Sequence, residues 1–193
     1  MSDDSGMIRP SPTLTGDIVV LRRLRPDEVE DMVRVVEEAI PHLRPWMAWA
    51  AGEFDPDDVR AHIAETDAKW EAGTDFTYAI TVGGEIAGRV SLMPRVGEGG
   101  LEIGYWLHPA YVGLGAATES TSLLVKAAFE LPGIEFVDIV HDTANTLSGA
   151  IPRKLGFTEI ARTSPPQEPI TSGEDGVDVR WRITRDEFHQ NGP

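Results

Sequence analysis

The chain contains no cysteine, which excludes disulfides, a thiol nucleophile and any Cys-based metal site. No apolar run approaches the roughly 18 residues of a membrane-spanning helix, and the acidic start, Met1-Ser2-Asp3-Asp4, lacks the basic region of a secretory signal. A soluble cytoplasmic protein is expected. Basic residues are scarce: 17 Lys and Arg against 32 Asp and Glu leave a formal net charge of −15, which argues against general nucleic-acid binding. The same field would steer a cationic partner toward the surface. The histidines, His42, His62, His108, His141 and His189, are scattered without H-E-x-x-H or another ligand spacing, so no metal site is expected. Ser148 does not sit in a G-x-S-x-G elbow, which argues against a hydrolase triad.

What is present is enough for one core: 193 residues, 41% of them hydrophobic. Asp17 to Leu24 reads as a strand. Pro26, Asp27 and Glu28 open a helix with an apolar stripe of Val29, Met32, Val33 and Val36, and Asp55-Pro56-Asp57-Asp58 opens a second with Val59, Ile63, Thr66 and Trp70 inward. Thr77 to Val82 and Glu85 to Met93 flank Gly83-Gly84, a hairpin signal. A strand over Leu101 to Leu107, a helix over Ala116 to Leu131 and a strand over Ile134 to Val140 follow, with two further strands near 156–163 and 179–183. Hairpins and β-α-β crossovers together predict an α/β (α+β) fold with a mixed, mostly antiparallel sheet flanked by helices. A single domain over 14–188 is expected, between a flexible tail at 1–13 and a short tail at 189–193. Ser164 to Asp178, proline-rich, glycine-rich and acidic, reads as a mobile loop, with a lid over a binding site as the functional alternative.

The richest stretch is Leu101 to Glu119, LEIGYWLHPAYVGLGAATE. A strand followed by a glycine turn that opens into a helix presents free N–H groups at the positive end of a helix dipole, an anion site built from main chain. Gly113 and Gly115 permit close approach of a phosphate. A dinucleotide fingerprint fails because Thr118 stands where the third glycine is needed, and a nucleoside-triphosphate loop fails because no Lys precedes Lys126. A diphosphate site without a charged finger remains. Thirty residues beyond Gly115 come Asn145-Thr146-Leu147-Ser148, then Lys154-Leu155-Gly156-Phe157.

This combination resembles the GNAT superfamily of acetyl-CoA-dependent N-acetyltransferases, and its texture is similar to the group that acetylates the N-termini of ribosomal proteins and its small-molecule relatives. The specific motifs span Glu102 to Phe157, with weaker similarity from Ile18 to about Ile183. The resemblance implies a GNAT-like fold, acetyl-CoA as co-substrate, no metal and often a homodimer. It aligns Val112-Gly113-Leu114-Gly115-Ala116-Ala117 with the family's Q/R-x-x-G-x-G/A pyrophosphate loop. Cofactor contacts are implied for that loop, for Tyr105, Trp106 and Leu107 on the preceding strand, and for Asn145 and Ser148. Val112 replaces the usual Arg or Gln, so the charged contact is weakened or passes to Arg153 or Lys154. Trp46 and Trp49, in HLRPWMAW, fall where relatives line the acceptor pocket.

The chemistry requires an amine made nucleophilic and a thiolate made to leave. Glu102 is the expected base and acceptor contact: relatives carry a glutamate at this place, and strand alternation puts it with Gly104 and Trp106, opposite Leu101 and Ile103. Burial beside a Trp would raise its pKa toward working range. Asp75 is a second choice. Many relatives place a Tyr acid where this chain has Pro152, which has no proton to give. Ser148 is the surviving hydroxyl, implied by the resemblance to contact the cofactor sulfur. The acceptor is a protein N-terminus or a small amine such as an antibiotic, polyamine or amino acid. The departures at Val112 and Pro152 keep a non-catalytic acyl-CoA-binding or regulatory module as the alternative.

Overall fold

Among the described residues, eight strands form one sheet in the order β1-β2-β3-β4-β5-β6-β8-β7. They are β1 (Thr13–Thr15), β2 (Val19–Arg22), β3 (Phe76–Val82), β4 (Glu85–Met93), β5 (Gly100–Leu107), β6 (Phe136–Asp142), β7 (Thr158–Arg162) and β8 (Asp178–Thr184). The helices are α1 (Val29–Leu43), α2 (Pro56–Glu71), α3 (Ala116–Glu130), α4 (Thr146–Lys154) and α5 (Arg185–Gln190). The computed structural model describes residues 9–190. All neighbouring strands are antiparallel except β5 and β6, which run parallel because α3 carries the chain back across the sheet.

Alternation of side chains divides the core in two. Val90 and Leu92 of β4, Leu101 and Ile103 of β5, and Val137 and Ile139 of β6 pack with Leu124, Val125 and Ala128 of α3. On the other face Met32, Val36 and Ile40 of α1 and Ile63 of α2 cover Ala79 and Ile86. The stripes expected for both helices are therefore the faces they bury. The α2 start is held as anticipated: the Asp55 carboxylate accepts the Asp57 N–H at 2.8 Å, with Pro56 at the first helical position.

The chain ends depart from the sequence expectation. Residues 1–8 and 191–193 of the two tails lie outside the described residues. Residues 9–13, assigned to a flexible tail, are docked: Thr13 begins β1, and the Tyr78 hydroxyl donates to the Ser11 carbonyl at 2.8 Å. Glu119, in the first turn of α3, accepts the backbone N–H groups of Asp17, Ile18 and Val19, each at 2.8 Å. One carboxylate thus ties the β1–β2 turn to the helix, a long-range contact that no local pattern could reveal. At the other end α5 continues past 188, with Phe188 against Phe129 at 5.3 Å.

The 164–178 segment is pinned over its second half. Asp142 accepts N–H bonds from Asp175 at 2.9 Å, Gly176 at 2.8 Å, Val177 at 3.1 Å and, within its own turn, Ala144 at 2.8 Å. The Gly173 N–H and the Thr171 hydroxyl both donate to the Pro45 carbonyl, at 2.9 and 2.5 Å, which brings the loop down on Pro45 and Trp46. Burial pushes the Asp142 carboxyl up, but its four N–H bonds outweigh that and hold it below the ordinary value. Its stabilising effect is therefore present above the unfolded carboxylate range and is lost as pH falls through the depressed folded value. Asp142→Asn, which turns an NH2 toward backbone donors, is expected to cost about 2–3 kcal/mol. Urea denaturation at neutral pH measures it, and proteolysis within 164–178 should quicken in the variant.

Candidate active site

The parallel pair β5 and β6 stays together for only three residue pairs, Gly100 with Phe136, Leu101 with Val137 and Glu102 with Asp138. Beyond them β5 continues to Leu107 along β4, while β6 continues to Asp142 along β8. The sheet therefore opens into a wedge, and among the described residues the edge of β5 beyond Glu102 has no ladder partner on that side. A chain of amides laid into such a wedge finds unpaired backbone donors and acceptors.

The glycine turn stands beyond the end of β5. Gly113 and Gly115 have φ of +82° and +85°, the left-handed region that favours glycine. Gly115 occupies the N-cap of α3 and provides no side-chain cap. The first bond into the helix is the Glu119 N–H to the Gly115 carbonyl, and no internal backbone partner is recorded for the N–H groups of Gly113 to Thr118 among the described residues. These groups, at the positive end of a fifteen-residue helix, fit a diphosphate. The donor set therefore suits coenzyme A without needing a charged residue at Val112.

Across the wedge, Tyr105 on β5 meets α4. Its hydroxyl lies 3.0 Å from the Ser148 hydroxyl and donates to the Ser148 carbonyl at 3.2 Å. In an uninterrupted helix that carbonyl would accept the N–H of residue 152. Pro152 has none, so the substitution that removes a helix tyrosine also frees the carbonyl that seats a tyrosine from the sheet. Burial pushes the Tyr105 phenol up to about 12, with the Ser148 bond opposing. Asn145 caps α4 by accepting the Ser148 N–H at 3.1 Å, which fixes the serine's place.

On the opposite face of the sheet, a cavity of about 630 Å³ lies between α1, α2 and strands β3 to β5. Its floor includes Thr77, Arg89, Ser91, Gly104 and Trp106, with Asp75 at the rim of β3. The Thr77 hydroxyl links the Asp75 carboxylate at 3.3 Å to the Ser91 hydroxyl at 2.8 Å, and Ser91 pairs with Gly104. Glu102 shares the face of Gly104 and Trp106, at the point where β5 and β6 part. Its side chain is 18% exposed, and Arg95 Nη1 is 3.9 Å from its Oε1. Burial raises its pKa; Arg95 and Arg180 oppose that, and Asp138 and Asp178 add to it. Burial likewise raises Asp75.

The structure brings together most residues singled out from the sequence, though not all in the expected role. Glu102, Tyr105, Ser148 and the 112–117 turn surround the wedge. Trp49 and Trp106 both line the cavity, with ring centroids 6.1 Å apart. The Trp106 side chain therefore lines the cavity, and the Leu107 side chain is buried in the core, leaving only their backbones toward the wedge. Trp46 lies instead beneath the 164–178 loop, close to Gly173. Arg153 is stacked with its Cζ 5.1 Å from the Trp181 ring centroid. Among the described residues no group of three His, Asp or Glu side chains is placed to hold a metal ion. Arg89 was missed; the only signal was a lone charge inside the apolar run IAGRVSLM.

Comparison with known proteins agrees with this geometry. The acetyltransferase (GNAT) domain model matches residues 19–158. A candidate ribosomal N-acetyltransferase of Bacillus subtilis, YdaF, is 26% identical over 144 residues, covering 73% of this chain and 78% of that protein. RimL, a ribosomal alpha-N-protein acetyltransferase solved in complex with coenzyme A, superposes with a TM-score of 0.79 at 20% identity, covering 90% of this chain and 98% of that one. Mycobacterium smegmatis RimJ, solved in complex with CoA-disulfide, gives 0.79 at 21% identity, with 93% and 91% covered. At these identities the two structures establish the fold. The matched region begins at β2 and ends at the first residue of β7, so it contains the wedge, the glycine turn and the cavity. The chain belongs to the acetyltransferase (GNAT) domain family.

Proposed function

We propose that this protein is an acetyl-CoA-dependent N-acetyltransferase in which a bound primary amine attacks the thioester directly, without a covalent enzyme intermediate. The observation that carries the reading is the wedge itself. It lies between a turn of free N–H groups and, across the sheet, a cavity with Asp75 in its lining, and Glu102 stands where β5 and β6 part. Acetyl-CoA, when bound, supplies an activated acyl carbonyl and a thiolate leaving group. The N–H groups of 113–118 would hold its diphosphate and the free edge of β5 its amide-bearing arm. Glu102 takes the proton the amine loses as the N–C bond forms and the C–S bond breaks, the electron pair leaving on sulfur. The hydroxyls of Tyr105 and Ser148 supply hydrogen bonds on the opposite side.

Tyr105, with its pKa near 12, is a poor full proton donor to a thiolate whose conjugate acid lies near 8.5, so its role is hydrogen bonding. Tyr105→Phe is therefore expected to lower kcat by about tenfold or less, the worth of one such bond. Pro152→Ala restores the helix donor to the Ser148 carbonyl and should lower kcat in the same direction. Pre-steady-state acetyl transfer checks both.

Thiol release from acetyl-CoA over a panel of amines tests the whole reading. Turnover with any amine supports it. Binding of acetyl-CoA without turnover across the panel favours the non-catalytic module that Val112 and Pro152 leave as the alternative, and absence of binding at millimolar acetyl-CoA ends both. The proposal includes acetylation of a protein N-terminus or a small amine, a cytoplasmic location and a homodimer, the last tested by sedimentation.

A further inference from the structure

Arg89 sits in the floor of the acceptor cavity and is only 8% exposed. Among the described residues it makes no ion pair. One Nη donates to the Thr66 hydroxyl at 2.7 Å, and Thr66 in turn donates to the Ile63 carbonyl at 2.9 Å. Its buried Nε has no hydrogen-bond partner among the described residues. Burial pushes the guanidinium down to about 10, with Asp75 opposing, so it remains charged at neutral pH. A buried cation with an orphan donor costs several kcal/mol in the free protein. Such groups persist where a ligand completes them. The desolvation has already been met, and the guanidinium fork matches a carboxylate.

Charge along α2 is ordered in the same sense. Glu53, Asp55 and Asp58 line the cavity near the helix start, whereas Thr66 and Lys69 line it near the end, beside Arg89, Arg95 and the Asp75 carboxylate. The two ends are separated by about 15–20 Å at 1.5 Å per residue. In β4, Arg89 is two residues, or about 7 Å, from Ser91, the residue opposite Gly104 where the amine must arrive. We propose that Arg89 is a carboxylate-recognition residue and that the acceptor is an amine carrying a carboxylate a few bonds away. The inference rests on the acetyltransferase reading and narrows its substrate class. It also reconciles the net charge of −15 with a buried cation at Arg89, since a zwitterion is not repelled by the acidic surface. The shared chemistry occurs in a free amino acid and in a polypeptide whose first residues include an acid.

The test compares matched acceptors: alanine with alaninamide, and a tripeptide with aspartate in second place with its asparagine twin. The wild type should show a carboxylate preference that Arg89→Gln reduces by about 10- to 100-fold in kcat/KM. Comparing wild type with variant cancels the different basicities of the paired amines. Whichever pair responds identifies the source, free amino acid or acidic peptide. A ratio that Arg89→Gln leaves unchanged for both pairs overturns the proposal. A measurement on the wild type alone needs neither a variant nor turnover. By calorimetry on the protein free of coenzyme, N-acetylalanine should bind at least about tenfold more tightly than N-acetylalaninamide, or the N-acetylated aspartate tripeptide than its asparagine twin. Equal binding within both pairs overturns the Arg89 assignment. Failure of every amine to be acetylated overturns the acetyltransferase reading instead, and the calorimetric comparison still decides Arg89. A structural role is separated by Arg89→Met: loss of an unpaired buried charge should leave the melting temperature unchanged or raised, and a large fall overturns the ligand role.

Discussion

Glu102→Gln is expected to lower kcat/KM by about 10²–10⁴-fold, the usual range for losing a positioned general base. The geometry makes the pH profile the more telling readout. Glu102 is raised above the ordinary carboxylate value by burial, against the pull of Arg95 and Arg180. As a base it must be ionised, so activity should fall as pH drops through that raised value. With an ordinary alkylamine this limb is hidden under the ionisation of the acceptor itself, near 8 for an α-amine and near 10.4 for a lysine-like one. A weakly basic amine, neutral throughout, exposes it. The limb should vanish in Glu102→Gln and move to higher pH in Arg95→Ala, which removes the cation 3.9 Å away. Stability provides the control. A carboxyl raised in the folded state contributes most when protonated, and that contribution is lost as pH rises from the unfolded value through the folded one. Glu102→Gln should therefore be at least as stable as the wild type at neutral pH. If it retains full kcat/KM and the limb with the weakly basic amine, Asp75, also raised by burial and linked through Thr77 to Ser91, becomes the base.

The parts of the site legible in the sequence are those fixed by local backbone. The glycine turn needs left-handed conformations at 113 and 115, and only glycine takes them readily, so its position was readable. Asn145 entered through the resemblance alone, although its side chain caps α4 locally by accepting the Ser148 N–H. Strand alternation correctly separated Trp106, which lines the cavity, from Ile103 and Leu107, which are buried in the other core. What escaped depends on contacts across long stretches of chain. Nothing near Glu119 signals that it holds residues about 100 positions earlier, and nothing near Asp142 signals the loop that it pins. Pro152 is the instructive case. Read locally it removes an acid; in three dimensions it releases a carbonyl for Tyr105, whose neighbours in sequence give no hint that it faces α4. Arg89 escaped because burial of a charge without an ion pair is a property of its surroundings, not of its segment.

Gly115→Asp is expected to raise the Kd for coenzyme A by about a hundredfold or more. Aspartate at an N-cap is ordinarily favourable, because its carboxylate accepts the first free N–H groups of the helix. Here those are the groups a diphosphate needs, so a good cap becomes a competitor for the site. It also becomes a repulsive one: two unit charges about 5 Å apart at an effective dielectric near 20 repel by about 3 kcal/mol, a factor near 10². Backbone strain adds to this, since φ at Gly115 is +85° and a Cβ there would lie 3.2 Å from Ile18 Cδ1. The alanine variants separate the contributions. Gly113→Ala meets no atom within 4 Å and incurs strain alone, about 1–2 kcal/mol; Gly115→Ala adds the Ile18 contact; neither introduces charge. The order of affinity should be wild type, Gly113→Ala, Gly115→Ala, Gly115→Asp, with the largest step at the last. Titration calorimetry across ionic strength completes the argument. A diphosphate held by main-chain dipoles should lose little affinity with added salt, whereas Val112→Arg, restoring the cation usual in the family, should tighten binding and make it fall as salt rises. If wild-type binding already weakens steeply with salt, a side-chain cation holds the diphosphate, and the backbone account of this turn is wrong.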